Sequence, residues 1–207
     1  MDAIVVAGMP GAGGTTIARR LAGLLGVPHH SAGQLFKDIP NGTVKDQHYY
    51  AEFKRLCDAK GIVIPDTTND NDTEGVKDFW QTELGKSTAL HNSIEELNKV
   101  LAKKGSIVMD AKLGLRMLPF ARRVWIKADL DARIARTSKK DDIDLDVARK
   151  TLLEREASER KEWQRIYDFD YFDQEKDEGV IVIDTTSLDA DQALGAVVEA
   201  LGINRNG

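Results

Sequence analysis

Residues 3–26 read AIVVAGMPGAGGTTIARRLAGLLG, and this segment predicts a strand, a glycine-rich turn and a helix in immediate succession. Ala3–Val6 is apolar without alternation, which is typical of a strand buried on both faces. Beyond the turn, Ile17 and Leu21 recur with helical period, and Gly26 marks the end of the helix. A buried strand that leads directly into a helix predicts an α/β fold built on a parallel sheet.

The turn between this strand and this helix matches most of the phosphate-loop pattern G-x-x-x-x-G-K-[S/T]. Gly8, Gly13 and Thr15 fit the pattern, whereas Gly14 stands at the lysine position. Glycines let consecutive backbone N–H groups turn toward phosphate oxygens, and the positive end of the following helix adds to that field. A turn that serves packing alone is the alternative, but the strand–loop–helix context favours phosphate binding. We expect the phosphate contacts at Gly8, Gly11, Ala12, Gly13, Gly14, Thr15 and Thr16.

The composition excludes several classes of protein. A chain of 207 residues with 42% apolar and 30% charged side chains suits one domain with a packed core rather than disorder. A net charge of -5 offers no overall basic footprint for nucleic acid. Cys57 is the one cysteine, so we expect neither an internal disulfide nor a structural zinc site. We expect no signal peptide, because the N-terminus has no basic stretch and its apolar run is too short. No run approaches the roughly 18 apolar residues of a membrane span, so we expect a cytoplasmic protein.

The rest of the chain alternates between buried strands and long polar segments. Residues 31–104 form one polar, helix-rich segment with a turn-prone stretch at 61–75. Residues 137–178 form a second segment, in which a helix is expected from about Leu145 to Tyr167. Leu194–Leu201 predicts a closing amphipathic helix. Further apolar runs predict strands at Val27–His30, Ser106–Met109, Val124–Ala128 and Val180–Ile183.

Asp110 follows the third predicted strand at the edge of the sheet where ligands gather. A carboxylate at that edge could hold Mg²⁺ through water, with the hydroxyl of Thr15 as a second ligand. The alternative is that Asp110 only begins the next turn.

Basic residues near the loop are candidates for stabilising a transferred phosphoryl group, which needs several converging cations. Arg133 and Arg136 are three residues apart, and therefore share one helix face just after a predicted strand. Arg155 and Arg160 lie in the second polar segment. They could equally pair with neighbouring glutamates on a solvated helix face.

Four residues are candidates for binding a second substrate. Ser31 is placed to cap a helix, and capping alone is enough to explain it. Lys37 lies a turn or more into that helix, where it could meet a phosphate group. Lys112 and Arg116 follow the third strand and could reach the same space.

Taken together, these segments resemble the nucleoside monophosphate kinases, and among them most closely the archaeal type of cytidylate kinase. Residues 7–37, AGMPGAGGTTIARRLAGLLGVPHHSAGQLFK, resemble the opening of these enzymes, including an -SAG-x-x-F- element at 31–36. Residues 153–170, LEREASERKEWQRIYDFD, resemble their lid. The resemblance covers roughly residues 1–37 and 106–201.

This resemblance implies a P-loop NTPase three-layer sandwich with a five-stranded parallel sheet in the order 2-3-1-4-5. It implies a single domain with a core at 1–30, 105–136 and 179–207, an acceptor-binding insertion at 31–104 and a lid at 137–178. The implied activity is phosphoryl transfer from ATP, with Mg²⁺, to a nucleoside monophosphate, with CMP or dCMP as the leading acceptor. We expect nucleotides as partners, a monomer, and binding to neither a nucleic acid polymer nor a membrane.

The resemblance also implies a role for each group of candidates. The loop would hold the donor phosphates, and Thr15 and Asp110 would position Mg²⁺. Lys37 and Lys112 would hold the acceptor phosphate. The residues expected to close over the transferred group are Arg133, Arg136, Arg155 and Arg160.

Three departures from the family pattern keep other functions open. Gly14 stands at the loop's lysine position, where archaeal-type cytidylate kinases can carry threonine, and glycine is a further step from lysine. Ala111-Lys112 stands where family members have -GR-, and Lys37 stands where they have arginine. Lysine keeps the charge but loses the bidentate fork that orients a phosphate. One alternative is therefore a nucleotide-binding protein without turnover, and another is a kinase that acts on a different small acceptor.

Overall fold

The centre of the fold is a parallel sheet in the order β2-β3-β1-β4-β5, in a computed structural model that describes residues 1–65, 79 and 81–203. The β1 residue Ile4 lies beside Val108 of β3 on one side and Arg122 of β4 on the other. The predicted α/β fold and strand order are confirmed. The strands are β1 Ile4–Gly8, β2 His29–Ser31, β3 Val108–Asp110, β4 Arg122–Lys127 and β5 Val180–Asp184.

Helices cover both faces of this sheet. They are α1 Gly14–Leu25, α2 Ala32–Asp38, α3 Tyr50–Asp58, α4 Thr88–Lys104, α5 Gly114–Met117, α6 Leu130–Asp141, α7 Leu145–Tyr167 and α8 Ala190–Ala200. Two 3₁₀ helices lie at Thr43–Asp46 and Tyr171–Lys176. The described residues include no helix that is both long and apolar enough to cross a membrane.

The unbroken apolar run of β1 is explained by two hydrophobic cores, one on each face of the sheet. Ile4 and Val6 pack with Leu21 of α1, while Val5 packs with Leu97 of α4 on the opposite face. Every one of these β1 side chains is fully buried, so neither face of the strand meets solvent. A strand in this position cannot alternate between apolar and polar residues.

Two predicted strands begin later than expected because local backbone geometry delays them. Gly26 adopts a left-handed conformation at the end of α1, and the Val27 N–H donates to the Ala22 carbonyl, so β2 starts only at His29. Ser106 has a φ of 48°, and β3 starts only at Val108.

The closing helix α8 begins four residues before the predicted Leu194, because a capping box starts it earlier. The Asp189 carboxylate accepts from the N–H of Gln192, whose side chain bonds back to the Asp189 backbone. The long helix α7 has the bounds that the sequence predicted.

The two polar segments are largely helical. The first, 31–104, contains α2, α3 and α4, and most of its turn-prone stretch at 61–75 lies outside the described residues. The second, 137–178, contains α7 and the second 3₁₀ helix, and its expected start at residue 137 falls inside α6. Cys57 is fully buried on α3, as the sequence predicted, and burial raises the pKa of its thiol to about 11.

Candidate active site

A cavity of about 530 Å³ opens at the carboxyl ends of β1 and β3. Its volume is in the range of ordinary small-molecule sites. Every residue of the phosphate loop from Gly8 to Thr16 lines it. The other charged residues on its wall are Asp110, Lys112, Arg136, Lys140, Asp141, Arg155 and Asp189.

The backbone of the phosphate loop requires glycine at several points. A Cβ at Gly8 would lie 2.2 Å from the Ile126 carbonyl oxygen of β4, so no larger residue fits there. Gly11 and Gly13 have φ values of 77° and 100°, which disfavour other residues. Gly13 is the N-cap residue of α1 and no described side chain caps this helix, so its first N–H groups are available to an anion.

Two arginines of α6 hold the loop from outside. Arg136 donates to the Ala12 carbonyl at 3.3 Å, to the Thr185 hydroxyl at 3.1 Å and to the Leu188 carbonyl at 3.1 Å. Arg133 is buried and donates to the Pro10 carbonyl at 3.2 Å. Arg133 does not line the cavity, and the donors of Arg136 go to protein oxygens. These contacts fix the loop against the segment that follows β5.

A carboxylate of α7 joins two cations on the wall of the cavity. Glu159 pairs with Lys112, and it accepts from Arg155 Nε at 2.9 Å and from the Tyr171 hydroxyl at 3.2 Å. Burial opposes ionisation of Glu159, but the two cations hold its pKa below the usual range. Burial lowers the pKa of Lys112, and the Glu159 carboxylate opposes that effect. The Glu159 carboxylate therefore holds the side chains of Lys112 and Arg155 together beside the loop.

Two oxygen ligands suitable for Mg²⁺ are present on the wall of the cavity. The hydroxyl of Thr15 and the carboxylate of Asp110 both lie there, and Ser31 Oγ donates to Asp110 at 3.4 Å. The part of the chain that the structure describes has no group of three His, Cys, Asp or Glu side chains that could hold a metal. Mg²⁺ in nucleotide sites usually takes one or two protein ligands and completes its shell with phosphates and water, so this pair fits.

Ser31 also caps α2, as the sequence predicted, because its side chain accepts from the Gln34 N–H at 3.2 Å. The same hydroxyl therefore both starts α2 and contacts Asp110. Lys37 is exposed on this helix and is not part of the wall of the cavity.

Two further predicted residues lie away from the cavity in this structure. Arg116 donates to Asp177 through Nε at 2.9 Å and through a terminal nitrogen at 2.6 Å, and its guanidinium lies 4.4 Å from the Phe169 ring centroid. Arg160 pairs with Asp170 of the segment after α7. Of the predicted cations, the structure thus brings Lys112, Arg136 and Arg155 together at the cavity.

Comparison with known proteins places the chain in a family. The model of the cytidylate kinase-like family matches residues 3–187. This protein belongs to the cytidylate kinase-like family. The chain is 27% identical over 203 residues to a cytidylate kinase from Methanocaldococcus jannaschii, with 96% of each protein covered. It is 28% identical over 196 residues to a cytidylate kinase from Pyrobaculum aerophilum, with 94% of this chain and 89% of that one covered.

Solved structures show the same fold at low sequence identity. An uncharacterized protein from Eubacterium ventriosum has a TM-score of 0.57 at 13% identity, covering 99% of this chain and 100% of that one. A protein from Thermus thermophilus has a TM-score of 0.51 at 17% identity, covering 97% of each. The resemblance to cytidylate kinases that the sequence indicated is therefore confirmed at the level of family and fold.

Sequence reasoning missed several residues at the site of this cytidylate kinase-like protein. The sequence indicates the glutamates near Arg155 only as surface partners of arginine, although the spacing of four between Arg155 and Glu159 places both on one face of α7. Thr185 follows β5 at the same edge of the sheet as Asp110. Ligands bind at the carboxyl ends of parallel strands, so this position in the sequence is a signal that could have indicated Thr185. Nothing in the sequence around Tyr171 indicates that its hydroxyl meets Glu159.

Proposed function

We propose that this protein transfers the terminal phosphoryl group of ATP to a nucleoside monophosphate, with CMP or dCMP as the leading acceptor. The observation that carries the proposal is one cavity in which the phosphate loop faces Lys112 and Arg155, in a chain of the cytidylate kinase-like family. The archaeal relatives named as cytidylate kinases support the choice of acceptor.

The phosphate loop and its supports bind the donor in this proposal. The backbone N–H groups from Gly8 to Thr16 hold the donor phosphates. Thr15 and Asp110 would hold Mg²⁺, which when bound neutralises phosphate charge. The contacts of Arg133 and Arg136 with the loop backbone favour a role in positioning the loop.

Residues around the transferred group supply charge and exclude water. Arg155 of α7 lies on the cavity wall and stabilises the transferred group. Lys112, and Lys37 from α2, hold the acceptor phosphate, which is already an anion and needs no general base. Arg160 belongs to the same lid helix, whose closure keeps water from hydrolysing ATP.

An ADP-release assay with CMP, dCMP, UMP, AMP and GMP tests the proposal. We expect the highest kcat/KM with CMP or dCMP. Turnover with only a different nucleotide would change the proposed acceptor but leave the proposed kinase activity standing. Measurable ATP binding without turnover on any acceptor would overturn the proposed kinase activity. The alternative, a nucleotide-binding protein without turnover, would then stand, and Gly14 in place of lysine is the observation that favours it.

A further inference from the structure

The position of the loop lysine is occupied by Gly14, and the structure shows no steric reason for the glycine. A Cβ at Gly14 would meet only backbone atoms of Ala7, at 4.0 Å, and Gly14 is not among the glycines with positive φ. A phosphate loop ordinarily places a lysine ammonium on the terminal phosphates of the donor. A site that works without this lysine needs its charge from another residue.

We propose that Lys112 supplies this charge, contacting the terminal phosphates of the donor, and that Glu159 of α7 positions its ammonium group. The proposal rests on the proposed function only in taking ATP as the donor. Lys112 would then contact the donor as well as the acceptor phosphate. One ammonium group can do both, because the transferred phosphoryl group lies between the donor phosphates and the acceptor phosphate.

The backbone places Lys112 next to the phosphate loop. Asp110 of β3 pairs with Val6 of β1, the strand that runs into the loop, and the Ala111 N–H donates to the Val6 carbonyl at 3.3 Å. Lys112 therefore leaves the sheet directly beside the loop. The Gln174 side chain donates to its carbonyl at 2.8 Å and fixes the turn.

The side chain of Lys112 is held in one place. Its ammonium pairs with Glu159 and lies 5.2 Å from the Tyr171 ring centroid. The Tyr171 hydroxyl donates to the same carboxylate, so three groups fix the direction of Glu159: Lys112, Arg155 and Tyr171. Because Glu159 belongs to the lid, the charge of Lys112 is oriented by the lid.

The other cations on the described cavity wall fit the role less well. Arg136 donates to four protein oxygens, which leaves its guanidinium committed to the loop backbone. The side chain of Lys140 is 79% exposed and that of Arg155 is 57% exposed, whereas that of Lys112 is 24% exposed. Enclosure strengthens the interaction of a cation with phosphate, and Lys112 is the most enclosed of these three.

The experiment moves the charge from one residue to the other. Lys112→Met keeps the aliphatic stem, and we expect it to lower kcat/KM by roughly 10²–10³-fold, the usual loss for one oriented contact. Adding Gly14→Lys to Lys112→Met should restore about tenfold or more of the rate, because the ammonium returns from the loop. Gly14→Lys in an Arg155→Ala background should restore nothing. Lys161→Met, on the exposed surface of α7, is the matched control and should leave the rate unchanged.

Binding measurements separate this proposal from the proposed function. Titration calorimetry should show that Lys112→Met weakens Mg-ATP more than Mg-ADP, and that Gly14→Lys reverses the loss, even if no acceptor is turned over. Melting of the unliganded variants checks that they fold, and Lys112→Arg, which keeps the charge, should retain ATP binding. The proposal is overturned if Lys112→Met binds ATP as the wild type does, if Gly14→Lys rescues nothing, or if Lys140→Met gives the loss and the rescue instead.

Discussion

Arg155 links the long helix α7 to the wall of the cavity. It lies on the cavity wall and donates to Glu159, which also holds Lys112. The carboxylate offsets the repulsion between the two cations that it binds. Charges arranged before the substrate arrives need no reorganisation when the phosphoryl group is transferred.

Arg155→Ala should lower turnover far more than ATP affinity. The loop amides hold the donor without Arg155, whereas the transferred group loses one contact, so kcat should fall by roughly 10²–10³-fold while the ATP dissociation constant changes little. Steady-state kinetics and calorimetry measure the two effects. Arg149→Ala, which removes an exposed arginine of α7 that pairs with Asp131, is the control. An unaltered kcat would remove Arg155 from the mechanism.

His30 makes stability depend on pH. Its ring Nε2 lies 2.9 Å from the side-chain oxygen of Asn98, and burial lowers its pKa to about 4 from 6.5. Between these values the unfolded chain binds more protons, so the contribution of His30 is complete above pH 6.5 and is lost as pH falls toward 4, by up to about 3 kcal/mol. Glu95 acts in the opposite direction, because burial raises its pKa to about 7.

Two variants separate these contributions. Between pH 7 and pH 5, the free energy of unfolding should fall less in His30→Gln than in the wild type. The variant lacks the buried imidazole, whose pKa is lower in the folded state than in the unfolded chain. In Glu95→Gln the free energy of unfolding should fall more than in the wild type. The variant lacks the carboxyl group that takes up a proton in the folded state as pH falls below 7. Urea unfolding at the two pH values measures both. Equal pH dependence in His30→Gln and the wild type would contradict the assignment to His30.

Among the elements, the phosphate loop and α1 form one unit whose glycines have different tasks. Gly8 allows close approach to β4, and Gly13 provides the left-handed residue from which α1 starts. Gly14 is the first residue of the helix and has neither constraint.

Alanine at the two adjacent glycines should have opposite effects on stability. Gly13→Ala forces a side chain into a φ of 100° and should cost about 1–3 kcal/mol, although nothing lies within 4 Å of the added Cβ. Gly14→Ala should stabilise the protein by up to about 1 kcal/mol, since alanine restricts the unfolded chain and favours helix. Urea unfolding of both variants measures the difference. Equal destabilisation would show that the position of Gly14 is also constrained.

In the molecule as a whole, α7 connects α6, the segment after β3 and the first polar segment. Its Glu156 pairs with Arg133 of α6, its Glu159 pairs with Lys112 after β3, and its Arg165 donates to the Lys86 carbonyl at 3.1 Å. The first two pairs are largely enclosed. Removing one partner of an enclosed pair leaves the other charge without compensation.

Glu156→Gln should loosen the packing of α7 against α6. The substitution keeps the shape but leaves the buried guanidinium of Arg133 without its carboxylate, and we expect a loss of about 3 kcal/mol in stability. Hydrogen exchange should speed up in residues 145–167 and stay unchanged in β1. Glu154→Gln is the control, because Glu154 is exposed on the same helix and lies 3.9 Å from Lys150. If both variants exchange alike, the Glu156–Arg133 pair does not hold α7 in place.

The positions of the elements followed from sequence, because they depend on local patterns. Unbroken apolar runs indicated strands buried on both faces, and the glycine pattern indicated the phosphate loop between β1 and α1. The parallel sheet and the family followed from these segments together. The misplaced starts of β2, β3 and α8 came from a left-handed residue, a positive φ and a capping box.

The arrangement of charges at the cavity followed from the packing of distant segments. Lys112 and Glu159 are 47 residues apart, and Arg116 is 61 residues from the aspartate that it binds. A charged residue in a sequence shows its sign but not its partner, because the partner depends on how α7 and the segment after it lie against the sheet. The chain's own pattern thus determined that a phosphate loop exists at the sheet edge, while the packing of α7 against the sheet determined which cations face it.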